Sequence, residues 1–216
     1  MNIYTKTGDH GTTSLYDGDR LRKHSIIFNV LGELDELSSR IGMLCALISD
    51  EKEQHLDIDK KMLELFSDNN FFRRIQSKIQ DINSIIATIN PEKSFLNKIS
   101  DEDVKDIEAW IDYIETFNPE LTQFILPGST TVDAQAQLCR TQTRKVERYL
   151  WELHFTEKEN KNRDDESDIA SKCVDLSTVR INHTIFSYIN RLSDFFFVTA
   201  RYLCLIKISE EKFYQR

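Results

Sequence analysis

Gln123–Trp151, QFILPGSTTVDAQAQLCRTQTRKVERYLW, combines a turn, a helix and a cationic stripe. Pro127 and Gly128 interrupt the apolar run Phe124-Ile125-Leu126, and Ser129, Thr130 and Thr131 offer side-chain oxygens to the unpaired amides of a starting helix. Val132, Ala136, Cys139, Thr143, Val146, Leu150 and Leu153 then alternate at spacings of four and three, the seam of a bundle helix running from Ser129 to about Phe155. Beside the seam Arg140, Arg144 and Arg148 share one side of the helix, with Glu147 the acid close to them. Two readings stay open for the stripe: a solvated arginine face, or an anion site.

The other helices are read outward from this one. Leu31, Leu34, Ile41, Cys45 and Ile48 mark a helix over Ile26–Ile48, flanked by Glu33, Asp35 and Glu36. Phe72, Ile75, Ile79, Ile82, Ile86 and Ile89 mark a second, stopped by Asn90-Pro91. Ser100 and Asp103 look like a capping pair for a third, with Val104, Ile107, Ile111 and Ile114 on its seam. A last helix runs from about Val179 to Ile208. Its seam is Ile185, Ile189, Leu192, Phe196, Thr199, Leu203 and Ile206, with Asn190, Arg191 and Asp194 off it. Three adjacent phenylalanines, Phe195 to Phe197, point three ways around a helix, so an apolar ligand or a partner subunit is expected to cover what one core cannot.

Six glycines and three prolines in 216 residues favour long helices, so the fold class is all-α and the length suits one domain over 1–216. Residues 156–177 begin with TEKENKNRDDESD and read as a mobile acidic insertion, while 49–70, with a short helix around Met62–Phe66, is assigned no function. A net charge of −8 argues against nonspecific nucleic-acid binding. Cys45, Cys139, Cys173 and Cys204 form no C-x-x-C pair and read as reduced thiols. With no membrane-spanning run and no signal-like start, a cytoplasmic location is expected, with the mitochondrial matrix the alternative where a presequence has been removed.

Residues 2–20, NIYTKTGDHGTTSLYDGDR, precede all helical periodicity and read as a loop or a tail. Gly8 and Gly11 free the backbone to turn its amides inward, Thr5, Thr7, Thr12 and Thr13 add hydroxyls, and Lys6 adds charge. That is a phosphate-binding nest or an ordinary turn, and not a Walker A loop, because Lys6 comes before the glycines. The five histidines are scattered without ligand spacing, and neither H-E-x-x-H nor G-x-S-x-G occurs, which argues against a metal-cage or triad enzyme.

Five ordered segments, TKTGDHGTTSLYDGDR, LGELDELSSRIG, FILPGSTT, CRTQTRKVER and INRLSDFFFVTAR, resemble the PduO-type ATP:cob(I)alamin adenosyltransferases. The resemblance implies a five-helix up-and-down bundle of the ferritin-like class with an N-terminal nucleotide-binding loop within 1–25. It also implies a homotrimer that binds ATP between subunits and transfers the 5′-deoxyadenosyl group to cobalamin. By position it assigns the triphosphate to Thr5, Lys6, Thr7, Gly8, Gly11, Thr12 and Thr13, with Lys23 as a further cation. Arg140 matches an arginine that pairs with Asp35 across the interface, and Arg144 one that contacts the reacting region of the nucleotide. Asn190 matches an asparagine on the nucleoside, and Glu147 a glutamate near the phosphates. Phe124, whose plain alternative is core packing, matches the aromatic under the corrin, with Phe197 as a second wall. Mg²⁺ is expected to arrive with ATP rather than on protein ligands, and a reductase and an adenosylcobalamin-dependent enzyme are the partners implied. The sequence departs from the pattern at Asp17, Ser129 and Lys145, the last standing where many members have a second arginine. A bundle that kept the fold without the transfer chemistry is the alternative function.

Overall fold

A computed structural model describes residues 4–16, 18, 20–52, 70–88, 99–160, 181–206 and 210–214. Among them are five helices: α1 (Ile26–Lys52), α2 (Asn70–Ile86), α3 (Asp101–Glu115), α4 (Thr131–Asn160) and α5 (His183–Ile206). Helix α1 packs on α2 and α4, α4 packs on α5, and α5 packs on α3. Ion pairs Arg74–Asp106 and Lys78–Asp103 join α2 to α3 and close the bundle.

Apolar periodicity explains the packing. All seven seam residues expected of α4 are completely buried, as are Phe72, Ile79, Ile82 and Ile86 of α2. The α1 seam is wider than expected: Ile27, Val30, Leu37 and Leu44 are also fully buried, because α1 has a neighbour on each of two sides. Ser100 caps α3 with a reciprocal capping box, its hydroxyl accepting the Asp103 amide while the Asp103 carboxylate accepts the Ser100 amide. At the start of α4, Thr130 Oγ1 accepts the Asp133 amide and the Asp133 carboxylate accepts the amides of Ser129 and Thr130. Gly128 turns the chain into this cap at φ 102°, a conformation that costs a side-chain-bearing residue strain.

Of the three adjacent phenylalanines, Phe195 and Phe196 enter the core, because α5 packs on both α3 and α4. The Phe195 ring lies 5.4 Å from that of Phe71 and 5.9 Å from that of Phe72, both on α2, and only Phe197 is left half-buried. Helix α4 continues to Asn160, so the first residues of the 156–177 segment are helical. Its rest, with Cys173, Ile89, Asn90-Pro91 and the expected Met62–Phe66 helix, lies outside the described residues.

The N-terminal stretch read as a loop contains a hairpin, β1 (Thr12–Ser14) antiparallel to β2 (Arg20–Arg22), with Thr13 opposite Leu21. A second small ladder pairs β3 (Ile125–Leu126) with β4 (Lys212–Phe213) from near the C-terminus. Cys45, Cys139 and Cys204 are buried, and burial pushes the Cys139 thiol up to about 12. No helix among the described residues is long and apolar enough to cross a membrane.

Candidate functional site

The glycine/threonine loop is folded back on its own hairpin. Arg20 Nη2 donates to Thr7 O and to Thr12 Oγ1, both at 2.8 Å, and Nη1 reaches Ser14 Oγ at 3.3 Å. Lys6 has a positive φ of 60°, Gly11 one of 77°, and the hydroxyls of Thr5 and Thr7 lie 2.9 Å apart. The Lys23 amide donates to Gly11 O, and a Cβ added at Gly8 would stand 3.3 Å from Lys23 Nζ. Glycine at position 8 therefore lets this ammonium approach the loop backbone. Thr5, Lys6 and Lys23 are exposed, which leaves hydroxyls and cations free to meet an anion. Arg20 was missed from sequence: its contacts depend on the hairpin register, which no local pattern announces.

The α4 stripe is not an evenly solvated face. Arg140 is half-buried and hydrogen-bonded through Nε to Gln137 at 2.6 Å; burial first, and then the Arg144 guanidinium beside it, push its pKa down. Two like charges with no acid between them favour an incoming anion. Arg144 and Arg148 are exposed. Glu147 pairs with neither; it accepts from Asn190 Nδ2 at 3.1 Å, and Asn190 Oδ1 accepts from Arg191 at 2.7 Å. Arg191 in turn bonds Glu108 of α3, so α3, α4 and α5 fix the asparagine and glutamate together.

Asp35 is exposed on the α2 side of α1, where Asn83 Nδ2 donates to it at 3.0 Å. It lines a pocket of about 440 Å³ with Tyr16, Leu31, Gln80, Asn83 and Thr88. Among the described residues no hydrogen bond or ion pair joins Asp35 to Arg140, or the N-terminal loop to Arg140, Arg144, Glu147 or Asn190. Nor do three His, Cys, Asp or Glu side chains gather there as a metal cluster.

Core packing, the plain alternative for Phe124, is overturned, because the side chain is 85% exposed. Its carbonyl accepts the Tyr214 amide at 2.8 Å, and Leu121, Leu126, Phe213 and Tyr214 are exposed apolar side chains of the same ladder and the segment before it. No ring contact joins Phe124 to Phe197 among the described residues.

The family model for cobalamin adenosyltransferase matches residues 3–203. The chain belongs to the cobalamin adenosyltransferase family. It is similar to the corrinoid adenosyltransferase of Bacillus subtilis, 32% identical over 201 residues that cover 93% of this chain and 86% of that one. It is also similar to the Bos taurus corrinoid adenosyltransferase MMAB, 30% identical over 218 residues, 99% of this chain and 76% of that one. Among solved structures it resembles a variant of a PduO-type ATP:corrinoid adenosyltransferase from Lactobacillus reuteri, complexed with cobalamin and ATP. The TM-score is 0.73 and the identity 28%, covering 100% of both chains. A second variant of that enzyme, complexed with ATP, gives 0.72 at 28% identity over 99% of this chain and 100% of that one.

In this cobalamin adenosyltransferase the departure at Lys145 has a structural use. Its Nζ pairs with Glu33 of α1 at 2.7 Å, and Gln142 bonds the same carboxylate. Burial would raise the Glu33 pKa, but these hydrogen bonds outweigh it and hold the carboxyl below its usual value. Lys145 is thereby turned to α1 rather than to the arginine stripe. Ser129 donates its hydroxyl to Glu210 O, tying the turn to the C-terminal segment. Asp17 lies outside the described residues.

Proposed function

We propose that the chain transfers the 5′-deoxyadenosyl group of ATP to cob(I)alamin, yielding adenosylcobalamin and triphosphate. What supports this above all is membership of the family over residues 3–203, joined to a nest-like N-terminal loop and an arginine pair with no acid of its own. Cob(I)alamin is itself the nucleophile: the Co–C bond forms as the C5′–O bond breaks, and the electron pair leaves on triphosphate. No protein base is needed, and the side chains position, exclude water and stabilise the leaving charge.

In this reading Thr5, Lys6, Thr7, Gly8, Gly11, Thr12, Thr13 and Lys23 take the triphosphate with its Mg²⁺. Arg144 meets the reacting region, and Glu147 and Asn190 face the nucleotide. Phe124 and Phe197 wall the lower corrin face. The test is spectral: the purified chain given ATP and chemically reduced cobalamin should form the light-sensitive alkyl-cobalt chromophore, and a bundle without transfer chemistry should not. A cytoplasmic chain supplied by a reductase and serving an adenosylcobalamin-dependent enzyme completes the reading.

The site is proposed to be assembled between subunits of a homotrimer. Among the described residues no hydrogen bond or ion pair joins the loop to the arginines, and Met43 on α1 and Leu138 on α4 stand 52% and 45% exposed. Sedimentation should give a trimer; a monomer that still turns over at low concentration would refute it. Asp35 of one copy is proposed to pair with Arg140 of the next. Asp35→Asn should then weaken both trimer and activity, since removing one member of such a pair costs about 3 to 5 kcal/mol where the interface buries it and much less where it stays exposed. Combining it with Arg140→Ala should do less harm than the two single losses added, and strict additivity would show that the two never meet.

A further inference from the structure

We propose that Arg201 is a buried clasp that sets the position of Phe124 by holding β4 against β3, a proposal that rests on the adenosyl-transfer reading. Arg201 lies on α5 and is only 2% exposed. A cation at that depth is tolerated only with its donors matched, and each end of this guanidinium is. Nε donates to Glu211 Oε1 at 2.9 Å, and Nη2 donates to Glu211 Oε2 at 3.4 Å and to Pro119 O at 2.6 Å. Nη1 reaches Glu115 Oε1 at 3.3 Å. The two acids are not equivalent: the Glu211 side chain is 11% exposed and that of Glu115 is 48% exposed.

What the guanidinium holds explains why it is there. Pro119 opens the segment that leads to Phe124, and Glu211 immediately precedes β4, where Phe213 pairs with Ile125 and Lys212 with Leu126. The Tyr214 amide then closes on Phe124 O. A ladder of two residues a side is marginal by itself. Phe124, exposed as it is, gains little from packing, so its direction is inherited from this backbone. One planar fork reaches both the strand that supports the ring and the segment that delivers it, a geometry a lysine ammonium does not offer. Arg201 and Glu211 are thus positioning residues, acting on the ring through β4.

Two variants of the full chain separate a clasp from general stability. Glu211→Gln and Glu115→Gln each remove one carboxylate from the same arginine, and only the first touches the strand. In Glu211→Gln the amides of residues 124–126 and 212–214 should exchange with solvent roughly tenfold faster, while Glu115→Gln leaves them as in the wild type. With ATP and cob(II)alamin, Glu211→Gln should also lose most of the four-coordinate Co(II) resonance. Its kcat should fall roughly tenfold with KM for ATP within about twofold, short of the hundredfold that an ångström-scale displacement can cost. Unchanged exchange in Glu211→Gln, or equal acceleration in both variants, would overturn the clasp. If the wild type itself gives no ATP-dependent Co(II) signal, the functional reading fails, and the exchange comparison still decides the clasp.

Discussion

Arg144→Lys should remove most adenosyl transfer while leaving the fold intact. The side chain is exposed on α4, so its replacement disturbs no packing, and surface changes of this kind stay within about 0.5 kcal/mol of stability. What changes is the shape of the cation. A guanidinium offers a planar fork of donors that grips two oxygens, whereas an ammonium is a compact, strongly hydrated point charge. Arg140 remains beside it, half-buried and hydrogen-bonded to Gln137, so the local charge survives the substitution. The leaving triphosphate is where negative charge grows in the transition state, and a contact strengthened there acts on kcat more than on ATP binding. The expected loss exceeds the roughly tenfold that corresponds to 1.4 kcal/mol. Single-turnover rates decide it: a kcat within about threefold of wild type removes Arg144 from the transition-state contacts.

The sequence revealed the helices because each buried face repeats within its own segment. The α4 seam, from Val132 to Leu153, is legible from spacing alone and is buried throughout. Capping by Ser100 and Asp103 is equally local. What was not legible depends on partners distant in sequence. Which of the three adjacent phenylalanines would be buried was not legible, because a helical wheel shows directions and not neighbours: Phe195 and Phe196 are fully buried and Phe197 is half-buried. Arg20 needed the hairpin register, and Lys145 needed Glu33 of α1 across the bundle. The β3–β4 ladder joins residues separated by two helices, and its strands of two residues carry no period to detect. The roles of the N-terminal loop and the arginines came from resemblance, because no hydrogen bond or ion pair among the described residues joins the two.

Phe124→Ala should spare the fold and harm the chemistry at cobalt. An 85% exposed ring contributes little to the core, so the melting temperature should hold. Its place at the head of β3, with its carbonyl tied to Tyr214, presents the ring at the surface of the turn that leads into the arginine helix. Against the lower corrin face such a ring would keep water and the benzimidazole base off the metal. Axial ligation is a main lever on a metal's reduction potential, and removing the axial donor makes reduction to the nucleophilic Co(I) state easier. Alanine leaves that face open to a ligand, so four-coordinate cob(II)alamin should be depleted and turnover slowed. Phe124→His should be worse than alanine, since imidazole can itself ligate cobalt where the phenyl ring only excluded ligands. Electron paramagnetic resonance of the Co(II) state with ATP bound, set beside the melting temperature of each variant, separates the two roles. A large loss of stability with an unchanged Co(II) spectrum would make Phe124 a structural residue and leave the lower face to be closed by some other side chain.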